Sequence, residues 1–162
     1  MLRHARSCDR RRGGGSVPPQ GYCSAAVRHL RDAEFLHGDD RFPNADHLAG
    51  FSVECLLKAF LVDCCGARVT GRRPVTDLPE GRKSFGHLPK FWEETRHVMT
   101  SRNQACLEDL LSREPAPFAG WAVDDRYGDG TTVDPDRCAE RIDAARELLG
   151  CWEAARLRGA LS

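Results

Sequence analysis

Between Asp46 and Val62 the chain reads D-H-L-A-G-F-S-V-E-C-L-L-K-A-F-L-V, interrupted only by Asp46, His47, Ser52, Glu54 and Lys58. At about 100° per residue, Leu48, Val53, Cys55, Leu56, Leu57, Ala59 and Phe60 cover more than half of the circumference, a wider band than a surface helix carries. Such a helix belongs at the centre of a fold. His47, Glu54 and Lys58 return to one side, within about 40° of each other, because offsets of seven and eleven residues are close to whole turns. Gly50 and Phe51 lie beside them. A polar seam on a buried helix is costly unless its groups find partners.

The flanking segments supply what such a helix packs against. From Tyr22 to His37 apolar residues recur at Ala26, Val27, Leu30, Ala33 and Leu36, the spacing of an amphipathic helix, and Gly38-Asp39-Asp40 ends it. Pro43 and Asn44 form a start for the central helix, with Asn44 as cap and Asp46 on the favourable end of the helix dipole; Gly66 stops it after Cys65. Ala67 to Ser84, rich in glycine, proline and arginine, reads as a loop. Pro89 opens a third helix with Leu88, Phe91, Trp92, Thr95 and Val98 on one face, ending near Ser101. A shorter helix covers Gln104 to Ser112 before Pro115 and Pro117. A last helix opens at Asp134-Pro135 and runs to about Arg158, with Cys138, Ile142, Ala145, Leu149 and Trp152 inward. With no strand alternation of any length, the expected fold is all-α, an antiparallel bundle of four to five helices.

A chain of 162 residues, 41% hydrophobic and 30% charged, suits one domain with a single core. Residues 1–20 hold five arginines against one aspartate, together with Gly13–Gly15 and Pro18-Pro19, and are expected to form a disordered tail ahead of a single domain over 21–162. The rest is mildly acidic and lacks the basic footprint of a nonspecific nucleic-acid binder. No run is long enough to span a bilayer, so no membrane partner and a cytoplasmic location are expected. The eight cysteines contain no C-x-x-C pair and read as buried reduced thiols, with Cys64-Cys65 a poor metal site. No metal and no cofactor are implied. Phosphate loops, H-E-x-x-H and nucleophile elbows are absent.

Three pieces in order, A-D-H-L-A-G-F-S-V-E-C-L-L-K-A-F at Ala45–Phe60, Gly86-His87 opening a helix, and W-x4-R-Y at Trp121–Tyr127, resemble prokaryotic HEPN-domain proteins over about Tyr22 to Trp152. The resemblance implies an all-helical bundle, often a homodimer, in proteins of nucleotide or RNA transactions. Many are metal-independent ribonucleases, frequently in toxin–antitoxin or defence systems beside a minimal nucleotidyltransferase, which becomes the expected partner. The ribonuclease members carry R-x4–6-H on a late helix. Here no histidine follows Asp134, and the spacing recurs instead at Arg31–His37, Arg41–His47 and Arg82–His87, about as often as 21 arginines and six histidines produce by chance.

Metal-independent RNA cleavage needs a base for the ribose 2′-OH and a cation for the phosphorane, which a near-neutral histidine and an arginine supply. The catalytic candidates are therefore His47, His87 and Arg126, and the ligand-binding candidates Glu54, Lys58 and Tyr127. Structural roles compete with each. Glu54 and Lys58 can form an i, i+4 pair, Arg126 can clamp its loop through Glu54, His87 can cap a helix, and Trp121 and Tyr127 can anchor the loop. Three functional classes stay open: a module binding a nucleotide, RNA or a partner; a ribonuclease toxin; and a bundle whose seam only fixes register or dimerisation.

Overall fold

The computed structural model describes residues 19–71, 73–78, 81–100 and 105–160. The tail expected over residues 1–20 lies outside these, except that Pro19 and Gln20 already belong to the first helix. The elements are α1 (Pro19–Gly38), α2 (Phe42–Cys65), β1 (Arg68–Thr70), β2 (Arg73–Leu78), β3 (Gly81–Ser84), α3 (Lys90–Thr100), α4 (Ala105–Leu111), a 3-10 turn (Val123–Tyr127) and α5 (Pro135–Ala160).

The helix that reads as central is central. α2 packs against α1, α5, α3, β2 and the 3-10 turn, and Ala49, Val53, Leu56, Leu57, Phe60 and Leu61 are wholly buried. Removing a leucine or phenylalanine side chain from water contributes about 1.5 to 3 kcal/mol, so this one helix carries much of the core. Polar ties fix its register: Ser52 Oγ donates to the Ala26 carbonyl at 2.9 Å, and Trp152 Nε1 of α5 donates to Asp63 at 3.0 Å. Gly66 ends the helix with φ 69°, where a side chain would be strained, and the Ala67 N–H closes onto the Leu61 carbonyl at 2.9 Å.

Three expectations need correction. The fold is mostly helical, but the stretch read as a loop holds an antiparallel sheet in the order β1-β2-β3, with Val69 opposite Pro74 and Thr76 opposite Lys83. Strands of three, six and four residues are too short to show alternation. Val75 and Thr76 are moreover adjacent and both buried, so β2 has no polar face there. The second correction concerns the thiols: Cys106 and Cys151 form a disulfide tying α4 to α5. The third concerns the start of α2, where Arg41 stands at the cap position without a side-chain hydrogen bond and Asn44 lies inside the helix. By contrast α5 begins as expected, with Asp134 accepting the Asp136 N–H at 3.1 Å and Pro135 in the first turn. Among the described residues no helix is long and apolar enough to cross a membrane.

Candidate functional site

Around the N-terminal turns of α2 and α5 lies a cleft of about 700 Å³, walled on its third side by the segment from Gly120 to Asp134. Asp46 builds it. The residue is 4% exposed, and both of its carboxylate oxygens accept from one nitrogen, Arg141 Nη1, at 2.8 and 2.7 Å. The same guanidinium donates through Nε to the Pro117 carbonyl at 3.1 Å and through Nη2 to the Ala119 carbonyl at 3.3 Å. Trp121, fully buried, donates its Nε1–H to the Asp46 carbonyl at 3.2 Å. Its indole lies flat on α2 at Gly50, where a Cβ would stand 2.1 to 2.4 Å from indole atoms. The small residue in the middle of a long helix is thus required by the side chain that crosses it.

Of the expected site residues, His47 and Arg126 line this cleft together with Arg41, so one of the three R-x5-H or R-x4-H spacings, Arg41 to His47, does converge on a site. His47 stacks on Trp121 with centroids 5.4 Å apart and meets Phe51 edge to face at 4.5 Å. Neither ring nitrogen is solvent-accessible or has a partner among the described residues. Its pKa is held below the ordinary 6.5, first because burial penalises the imidazolium and then because Arg126 repels it; Asp125, Asp46 and Glu54 pull the other way.

In the window from about pH 6.5 down to the lower native value, the unfolded chain binds more protons, so stability should fall as the solution is acidified. His29 is lowered too, by burial and Arg28, and adds to the same trend. His47→Gln should therefore remove part of the pH dependence of the urea midpoint between about pH 6.5 and 5. An unchanged dependence would show that this imidazole is solvated.

Farther along α2, Glu54 and Lys58 meet His87, which lies between β3 and α3. Glu54, 3% exposed, accepts the Leu88 N–H at 3.0 Å, lies 3.1 Å from His87 Nδ1 through either oxygen, and pairs with Lys58 Nζ at 3.6 Å. The expected seam divides: His47 lies in the cleft, and the Glu54 carboxylate, with Lys58, fastens the approach to α3. Two of the structural expectations are corrected here. Arg126 does not reach Glu54: it donates to the Tyr127 hydroxyl at 2.9 Å and stacks over that ring at 4.7 Å. Tyr127, 77% exposed, anchors nothing, whereas Trp121 does.

Sequence reasoning missed Asp46, Arg141, Arg41 and Arg137 as cleft residues. One signal pointed to Arg141: it lies three residues after Cys138 and four before Ala145, on the inward stripe of α5, where a charge calls for a buried partner. Cys138, beside the Asp46 pair, has its thiol pushed up to about 12, chiefly by burial and then by Asp46, and is chemically quiet.

Four arginines and four aspartates line the cleft. Comparison with protein-family models, curated proteins and solved structures finds no match to this chain. Its chemistry rests on the geometry alone. Of the four carboxylates Asp46 is neutralised by Arg141, while Asp125, Asp129 and Asp134 each accept a backbone N–H, from Ala122, Thr131 and Asp136. Arg41 and Arg126 have no carboxylate partner among the described residues, and Arg137 reaches only Glu140 and the Ala116 carbonyl, both at 3.4 Å. A backbone N–H orients its carboxylate without cancelling the charge, so an anion held by Arg41, Arg126 and Arg137 would also face Asp125, Asp129 and Asp134. No group of three or more His, Cys, Asp or Glu among the described residues is placed to hold a metal ion.

Proposed function

We propose that this chain is a HEPN-like helical module that binds a nucleotide or a short stretch of RNA, holding its phosphates in the cleft between α2, α5 and the 3-10 turn. The observation that carries this is the set of guanidinium groups of Arg41, Arg126 and Arg137 around a cleft whose carboxylates are occupied by other donors. Arginine forks suit phosphate oxygens, and the volume lies within the roughly 300 to 1,000 Å³ usual for small-ligand sites. Tyr127 stands exposed beside Arg126, available to a base at the rim.

In this proposal the module works with a minimal nucleotidyltransferase-type partner or as a homodimer. The exposed Phe35 of α1 and Leu157 of α5 are large apolar side chains open to such contacts. A cytoplasmic setting stands against the Cys106–Cys151 bond, which reducing compartments oppose, and phosphate binding does not depend on it.

A metal-independent ribonuclease is the second possibility, favoured by His47, a histidine kept neutral in the same cleft as Arg126. Both imidazole nitrogens are covered, however, so the ring would have to leave its stack on Trp121 before it could reach a 2′-OH. Binding is therefore placed ahead of cleavage. Titration with a 5′-mononucleotide and a short single-stranded RNA should give saturable binding. Arg41→Ala and Arg126→Ala should each weaken it about ten- to a hundredfold, the loss of a charge-assisted bond, and the RNA should stay intact. Chelator-resistant cleavage to 2′,3′-cyclic ends, abolished by His47→Ala in a folded protein, would reverse the order. No binding at all would remove both.

A further inference from the structure

Away from the cleft, α4 is fastened to α5 near both of its ends. At its start Cys106 is bonded to Cys151, and just past its end Arg113 donates to the Glu147 carboxylate through Nη1 at 2.8 Å and Nη2 at 2.6 Å. Between these ties Leu107, Leu110 and Leu111 are buried. The two cysteines are placed unequally: Cys106 is exposed, whereas Cys151 is 2% exposed and belongs to the core. The bond therefore runs from the interior to the surface. A thiolate that attacks a disulfide displaces one sulfur from the other, so the sulfur it can approach decides the product. Approach to Cys106 along the bond comes from the solvent side, with Cys151 departing inward; approach to Cys151 would have to come through the core. Departure of Cys106 would be the easier of the two, since an exposed thiolate is better solvated, but the burial of Cys151 denies the approach that this needs.

We propose that Cys106 is a thiolation site, at which a low-molecular-weight thiol opens the bond in the folded protein and stays attached. In the first step the sulfur of the incoming thiolate bonds to Cys106 Sγ and the Cys106–Cys151 bond breaks. Its electron pair leaves with Cys151 Sγ, which takes up the proton that the incoming thiol has given up. One disulfide replaces another, and no outside oxidant is needed. A second thiol then attacks the attached one, leaves Cys106 as a thiol and carries both small thiols away as their own disulfide, a two-electron reduction of the protein. Buried thiols are unreactive, so Cys151 is slow to reverse the first step. The three leucines and the Arg113–Glu147 pair keep α4 on α5 once the covalent tie has gone. The link thus follows the thiol poise around it, closed where thiols are scarce and capped at Cys106 where they are abundant. This site is independent of phosphate binding in the cleft.

Reduced glutathione is the probe, because a thiol adds only where a disulfide stands. The folded full-length protein, its free thiols first blocked with iodoacetamide, is treated with an excess of reduced glutathione, quenched in acid, digested and mapped by peptide mass. Glutathione should be found on Cys106 and not on Cys151, with the helical circular dichroism unchanged. Two single variants given oxidised glutathione provide a second reading. Cys151→Ala should be modified at Cys106 at least about tenfold faster than Cys106→Ala is at Cys151, which becomes reachable only through local opening. An adduct on Cys151, equal rates in the two variants, or no reaction below the urea concentrations that unfold the protein would overturn the assignment. Eight free thiols in protein purified without reductant would do the same, since there would be no bond to open.

Discussion

Replacing Arg141 by alanine is expected to destabilise the fold by about 3 to 5 kcal/mol, because it strands the Asp46 carboxylate in the interior and leaves the Pro117 and Ala119 carbonyls without their donor. Set against the roughly 5 to 15 kcal/mol that holds a domain together, that is a large share. Asp46→Ala should cost a comparable amount. The decisive measurement is the double variant Asp46→Leu/Arg141→Met in urea unfolding, which removes both charges and keeps the volume. Its loss should be well below the sum of the single losses, since the main penalty is the unpaired charge and not the missing attraction. A single-variant loss under about 1 kcal/mol would place the pair in water.

Gly50→Ala should come close behind, at about 3 kcal/mol or more. The added methyl would overlap the indole of Trp121, and because the indole is rigid and fully buried, either α2 or the whole Gly120–Asp134 wall must move. Elsewhere alanine in place of a mid-helix glycine is favourable by about 1 kcal/mol, so the sign of the effect is itself diagnostic. Trp121→Leu should be destabilising in the native background and much less so when Gly50 is already alanine. Additive losses would mean that the two residues do not touch.

The helices were legible because their signals are local. The apolar breadth of α2, the Asp134-Pro135 start of α5 and the stripes of α1 and α3 all repeat within a turn or two, and each of these elements forms. The small sheet was not, since Gly71, Pro74 and Gly81 mask strands too short to alternate and β2 buries two neighbours in succession. The site was half legible. Offsets of seven and eleven brought out His47, Glu54 and Lys58 as a seam, but what each would meet depends on contacts far along the chain: His87 lies 33 residues from Glu54, and Arg141 lies 95 from Asp46. The alternation of roles along α2, a neutral histidine at one end and a fully satisfied carboxylate two turns later, is decided by those remote partners.

Asp46 holds Arg141 with its side chain and Trp121 with its backbone carbonyl. A single residue thus joins the terminal helix and the cleft wall to the same point on α2, like a hinge pin through two leaves. The cleft cannot be transplanted by grafting residues 120–134 onto another bundle. A host would also need an acid on the receiving helix, a glycine one turn further on and an arginine on the helix behind.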